Sequence, residues 1–197
     1  MGVRGRPRGF DRDEALKTAM VIFWEHGYQA TTLSDLTTAM GIKPPSLYAA
    51  FDSKEELFRQ AIRLYERTEA EAPRRALVET PTAREAVGAL LRESAVRYTT
   101  PGKPTGCMVA LSAATTSAEH AEVRAFTARC REATEDAILT RMEKGVAEGE
   151  LSESADLPSA AKFYTTVLNG LAVQARDGVS RERLFAVADM AMVAWPG

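Results

Sequence analysis

The chain has 197 residues, enough for a small domain plus a second, larger core. Its composition, 45% hydrophobic and 26% charged, is that of an ordinary soluble globular protein, and no apolar run is long enough to span a bilayer. A formal net charge of -2 removes global basicity as a nucleic-acid signal without excluding a local basic surface, while two cysteines and an arginine-rich start lacking an apolar h-region argue against a disulfide framework or export, so a cytoplasmic location is expected.

Residues 1–9, MGVRGRPRG, carry Arg4, Arg6 and Arg8 with no acidic residue, and their glycines and proline deny regular structure. Such a segment serves either as a solubilising tail or as a flexible basic arm that follows the DNA backbone or enters the minor groove, with Arg6 the candidate contact. Asp11 to Gly27 then predicts a helix, capped by Asp11, boxed by Glu14 and stopped by Gly27. Ala15, Leu16, Ala19, Met20, Ile22 and Phe23 form its apolar stripe, Trp24 and Tyr28 are core or boundary aromatics, and His26 suits the negative end of the helix dipole.

The stretch Thr31 to Lys54 is the most informative. Thr32 followed by Asp35 approaches a capping box, Leu33, Leu36 and Ala39 give one apolar face, and Gly41 ends the helix. Pro44 and Pro45 then start a second short helix, because a first turn has no intrahelical use for its N–H groups, and Lys43 before them is pushed to extended backbone. Leu47 and Phe51 point inward, which leaves Pro45, Ser46 and Ala49 outward with Tyr48 at the edge. Ser53 and Glu56 read as a capping box for the next helix. A short helix with small, uncharged outward residues fits a DNA major groove.

In the order Thr31-Thr32, Leu36, Gly41-Ile42, Leu47-Tyr48, Phe51, Lys54-Glu55 and Leu57, this run resembles the TetR/AcrR family of bacterial transcription regulators. The resemblance implies an all-α fold: an N-terminal three-helix helix-turn-helix DNA-binding domain, followed by a C-terminal helical effector-binding and dimerisation domain. It implies double-stranded operator DNA as partner, with Thr32, Ser46, Tyr48 and Lys54 holding phosphates. Pro44, Pro45 and Ala49 stand where the family meets base edges, and Lys43 reaches either a base or a phosphate. The chain departs from its relatives in carrying Lys43 for Ser or Thr and Ala50 for a histidine before the Phe. With few hydrogen-bonding side chains on the reading helix, specificity is expected to lean on thymine methyls and DNA shape.

Leu57, Phe58, Ala61, Ile62 and Tyr65 predict a fourth helix from Ser53 to about Ala72, with a connector over Pro73 to Thr80. This divides the chain into the arm 1–9, a DNA-binding domain 10–72 and a C-terminal domain 73–197. Further helices are expected over Thr82–Thr99, Gly106–Thr116, Ala118–Glu148, Leu157–Arg176 and Arg181–Trp195, with the breaker cluster TPGKPT at 100–105 a loop. Pro158 suits a first turn and Ser180 an N-cap. The last two helices are apolar over more than one face, which points to a homodimer through a four-helix interface or to a large monomeric core. Leu168, Leu171, Phe185, Ala188 and Met192 are the interface candidates.

No metal-ligand spacing, P-loop or nucleophile elbow occurs, so no enzyme activity, metal or cofactor is expected. The family resemblance implies a pocket for an unidentified small effector, with Tyr98, Met108, Leu111, Thr115, Phe126, Phe163, Tyr164 and Gln174 as candidate lining, each of which equally suits packed core. Cys107, after a proline-rich loop at a helix start, reads either as a small buried hydrophobe or as a sensor thiol favoured by the helix dipole. The expected function is thus a repressor released from a palindromic operator by an effector. The alternative is a redox- or electrophile-responsive regulator switched through Cys107.

Overall fold

The structure, a computed structural model, describes residues 10–196, apart from the side chains at 113–115. The arm 1–9, with Arg6, and the Thr115 side chain lie outside the described residues. The chain is all-helical: α1 (Arg12–Ala30), α2 (Leu33–Met40), α3 (Pro44–Phe51), α4 (Lys54–Thr68), α5 (Glu71–Glu79), α6 (Ala83–Tyr98), α7 (Met108–Thr115), α8 (Ala121–Ala147), α9 (Leu157–Arg176) and α10 (Arg181–Val193), with a 3-10 turn over Ala118–His120 before α8.

α1 packs along α4 and supports α2 and α3. Their shared core is aromatic: Phe23 meets Phe58 edge-on at 5.1 Å, and Trp24 meets Tyr65 edge-on at 4.9 Å. Met108, Val109 and Val123 of α7 and α8 join this same core, so the head is welded to the helices behind it. A second core, built by α5, α6, α8, α9 and α10, includes Leu90, Leu91, Met142, Tyr164, Leu171 and Leu184.

Several local expectations are corrected. Asp11 caps α1 through the N–H groups of Asp13 and Glu14, but the Glu14 carboxylate pairs with Lys17 instead of closing a box. Gly27 breaks α1 with φ 78°, yet helix resumes to Ala30. On α2 it is Thr37, not Ala39, that is buried beside Leu36; Ala39 is exposed. Ser53 caps α4 through Glu56 N–H, but the Glu56 carboxylate turns to Gln60 and Arg63, and Ser53 N–H donates to Phe51 O. α4 ends at Thr68, and the expected connector is helix: Pro73, third in α5, lacks an N–H that the first turn would leave unpaired anyway. Ser180 occupies the N-cap of α10 without making a capping bond, and α10 stops at Val193.

Candidate nucleic-acid interface and the cavity behind it

The reading unit is built by short-range hydrogen bonds. Thr32 Oγ1 accepts from Asp35 N–H at 3.1 Å, and the Asp35 carboxylate accepts from Thr32 N–H at 2.8 Å, a complete capping box. These bonds from the Thr32 hydroxyl and backbone hold the Asp35 carboxyl below its usual range. Gly41, at φ 65°, lets Ile42 N–H reach Thr37 O and Gly41 N–H reach Thr38 O, the paired bonds of a Schellman turn. Lys43 is extended at φ -87° and ψ 152°, and its carbonyl accepts the first bonds of α3 from Ser46 and Leu47.

Leu47 and Phe51 are fully buried, so α3 has one possible rotation about its axis. That rotation leaves Lys43, Pro44, Pro45, Tyr48 and Ala49 exposed and Ser46 half-buried. No charged residue lies within Pro44–Phe51. Lys54 is half-buried, its ammonium 4.3 Å from the centre of the Tyr28 ring, and burial lowers its pKa while the Asp35 charge opposes that. Asp35, bonded to Thr32, thus acts on the charge of Lys54, which links the starts of α2 and α4.

Two supports of α3 were not legible in the sequence. The Arg12 guanidinium stacks 4.7 Å from the Phe51 ring centre and donates to Ala50 O and to Gln60 Oε1, tying the start of α1 to the end of the reading helix. Asp52, at φ 63° and ψ -52°, is the one non-glycine residue with positive φ among those described. With the Ser53-to-Phe51 bond it forms a tight γ-turn, a strained joint that redirects the chain into α4.

Behind the head, between α4, α6, α7, α8 and α9, lies a cavity of about 320 Å³. Of the expected pocket residues it is lined by Tyr98 and Phe126, and also by Cys107. Met108 and Leu111 turn instead to a smaller cavity beside Phe23 and Trp24. Phe163 is exposed on α9, Tyr164 is buried between Phe163 and Trp195, and Gln174 is exposed. The helical stripe that sends Tyr164 and Leu171 into the core turns Phe163 and Gln174 away from it.

The expected interface residues also divide. Leu168, Leu171 and Ala188 are buried in the subunit's own core, and Leu168 lines the cavity. Phe185 lies under Arg92, which binds Asp189, and Met192 is half-buried. The exposed apolar side chains of this helix pair are Phe163, Val173, Val187, Met190 and Val193. No helix among the described residues is long and apolar enough to cross a membrane.

A capped α2, a left-handed glycine turn and a rigidly seated α3 with an uncharged outer face define a helix-turn-helix DNA-binding protein. Residues 15–61 match the profile of the bacterial regulatory proteins of the tetR family. Over 195 residues the chain is 35% identical to the HTH-type transcriptional repressor ComR of Escherichia coli K12, covering 98% of this chain and 92% of that one. It is 33% identical to the repressor BdcR of the same strain, over 96% and 91% of the two chains. A cysteine-substituted form of the TetR family regulator CifR, solved with 26-base-pair operator DNA, is 48% identical, with a TM-score of 0.93 over 97% of this chain and 100% of that one. The chain belongs to the tetR family; it is a transcriptional regulator and not an enzyme.

Proposed function

We propose that this protein is a cytoplasmic transcriptional repressor. As a homodimer it binds a palindromic operator through two copies of α3, and it is released when a small effector fills the cavity behind α1 and α4. The observation that carries this is the reading unit itself: α3 held by Leu47, Phe51 and Arg12 so that Lys43, Pro44, Pro45, Tyr48 and Ala49 face outward together. Thr32, Ser46, Tyr48 and Lys54 take phosphates, Arg6 follows the backbone or minor groove from the arm 1–9, and Lys43 reaches a base or phosphate. The relatives named as repressors, and CifR bound to operator DNA, support the same reading.

The exposed apolar residues of α9 and α10 supply the dimer surface, with Phe185 and Met192 at its margin. The division between reading head and C-terminal domain falls at residues 72–73, in the first turn of α5. The test is selection of source-genome fragments on the purified protein at physiological salt. Retention of one palindrome-bearing promoter is expected. Retention only of random fragments that modest salt removes would leave the arm as the sole binder and end the operator reading.

A second reading is favoured by the place of Cys107, in the cavity wall beside Tyr65 and Tyr98. If a reactive molecule switches the protein through this thiol, Cys107→Ser abolishes the response and spares operator binding. A response that survives the substitution eliminates the thiol switch.

A further inference from the structure

The cavity has an electrostatic character that its apolar composition hides. Four arginines, Arg74, Arg97, Arg129 and Arg131, and one carboxylate, Glu66, stand in its described lining. Three of the four arginines have evident places: Arg74 and Arg129 are exposed, and Arg131 donates to Val109 O at 3.3 Å. Arg97 differs. It is 9% exposed, and its Nε and Nη1 have no hydrogen-bond partner among the described residues, nor does it form an ion pair among them.

The faces of three aromatic rings compensate its charge in part, with ring centres at 4.4 Å for Tyr98, 4.9 Å for Tyr65 and 5.7 Å for Trp24. Those contacts act on the face of the guanidinium and leave Nε and Nη1 without acceptors. A guanidinium does not relieve burial by losing its proton. The hydroxyl of Tyr65, itself 1% exposed, is likewise without a hydrogen-bond partner. Three unsatisfied polar atoms, Arg97 Nε, Arg97 Nη1 and Tyr65 Oη, thus belong to adjoining residues in the wall of one cavity. Buried polar groups left this way are rare and costly, and a planar two-oxygen acceptor is the group that matches a guanidinium edge.

We propose that the effector is a small organic carboxylate. Its head group accepts from Arg97 and Tyr65, and its apolar body lies against Leu90, Phe126 and Leu168. The volume sits near the lower end of the ~300–1,000 Å³ typical of small-molecule pockets, which suits an aromatic or medium-chain acid. The inference deepens the regulatory reading and rests on it.

The test uses the full chain carrying Trp195→Phe, so that Trp24, whose ring lies beside Arg97, is the only indole. Phenylacetate and octanoate are titrated against their neutral amides at constant ionic strength, with inorganic phosphate as a third probe, reading Trp24 emission and Tm. Both acids should saturate, and each amide should bind at least tenfold more weakly. Arg97→Met, which keeps the stem and removes the charge, should weaken the acids about 10- to 100-fold. Its Tm should hold or rise, because the charge it deletes is unpaired. Tyr65→Phe removes only the orphan hydroxyl and should weaken the acids several-fold, which keeps the question answerable if Arg97→Met does not fold. Equal binding of acid and amide, no saturation by either acid, tighter binding of phosphate, or unchanged affinity in both variants would each overturn the proposal. Failure of carboxylate binding with operator binding intact sinks this inference alone; carboxylate binding without operator affinity sinks the regulatory reading alone.

Discussion

Gly106 is the point where the reading head meets the body of the molecule, and replacing it with alanine tests that junction. Its carbonyl accepts from Trp24 Nε1 of α1 at 3.2 Å, and its N–H donates to Tyr98 O of α6 at 3.0 Å. Its φ is 76°, and a Cβ added there would stand 2.6 Å from Ala172 O of α9 and 3.0 Å from Leu111 Cδ1. The left-handed backbone costs an L-residue ~1–2 kcal/mol. Displacing a packed backbone adds ~1–3 kcal/mol, and the stiffer unfolded chain returns ~0.4–1 kcal/mol. The net is a loss of about 3 kcal/mol, or roughly 6–12 °C in Tm for a chain of this size. The control is Gly102→Ala, with φ 78° but no atom within 4 Å of the added Cβ. It carries the backbone term alone and should lose ~1 kcal/mol, roughly 2–4 °C. Both variants are melted at one protein concentration, since the proposed dimerisation would make Tm concentration-dependent. Equal shifts would refute the close approach of Gly106 to α9, and with it the account of how the head is anchored.

Lys43→Ala should weaken operator binding and lower the salt slope by about one while leaving the oligomeric state unchanged; an unaltered slope removes Lys43 from the interface. Met190, 71% exposed on α10, tests the dimer surface. Met190→Glu should sediment as a folded monomer, and a surviving dimer would move the interface elsewhere. The Cys130 thiol is pushed up to about 11, first by burial and then by the charge of Glu66. At pH 8 its thiolate population should be about 100-fold below that of a thiol at the reference value of 9.0. Iodoacetamide labelling should be correspondingly slow and faster in Glu66→Gln; labelling at the rate of the unfolded chain contradicts the assigned environment.

Much of the reading unit was legible residue by residue. Thr32 with Asp35, Gly41, and Lys43 before Pro44-Pro45 each act through bonds or dihedral limits within one helical turn, so their neighbours in sequence are also their neighbours in space. The failures arose where two local rules competed. Glu14 and Glu56 had capping geometry within reach, but Lys17, and Gln60 with Arg63, offered charged or amide partners on the same helix face. Pro73 satisfies the rule for ending a helix and the rule for starting one, and the choice went to α5, where Pro73 and Leu77 are buried. Leu168, Leu171 and Ala188, expected at an interface, lie in the chain's own core, because a helix apolar all round does not announce which face its own domain claims.

The sequence by itself determined the helical class, most helix limits and the outward face of α3, because these follow from hydrophobic period and chain-local hydrogen bonding; the family was legible only through the resemblance of the run from Thr31 to Leu57. Only the tertiary structure decided what fills the space between helices. Arg97, in the last turn of α6, looks from the sequence like a solvated cation suited to a helix end. It is buried because Trp24 and Tyr65, distant in the chain, close over it from α1 and α4. A side chain's partners across the core depend on how several helices pack at once, and no window of neighbouring residues contains that information.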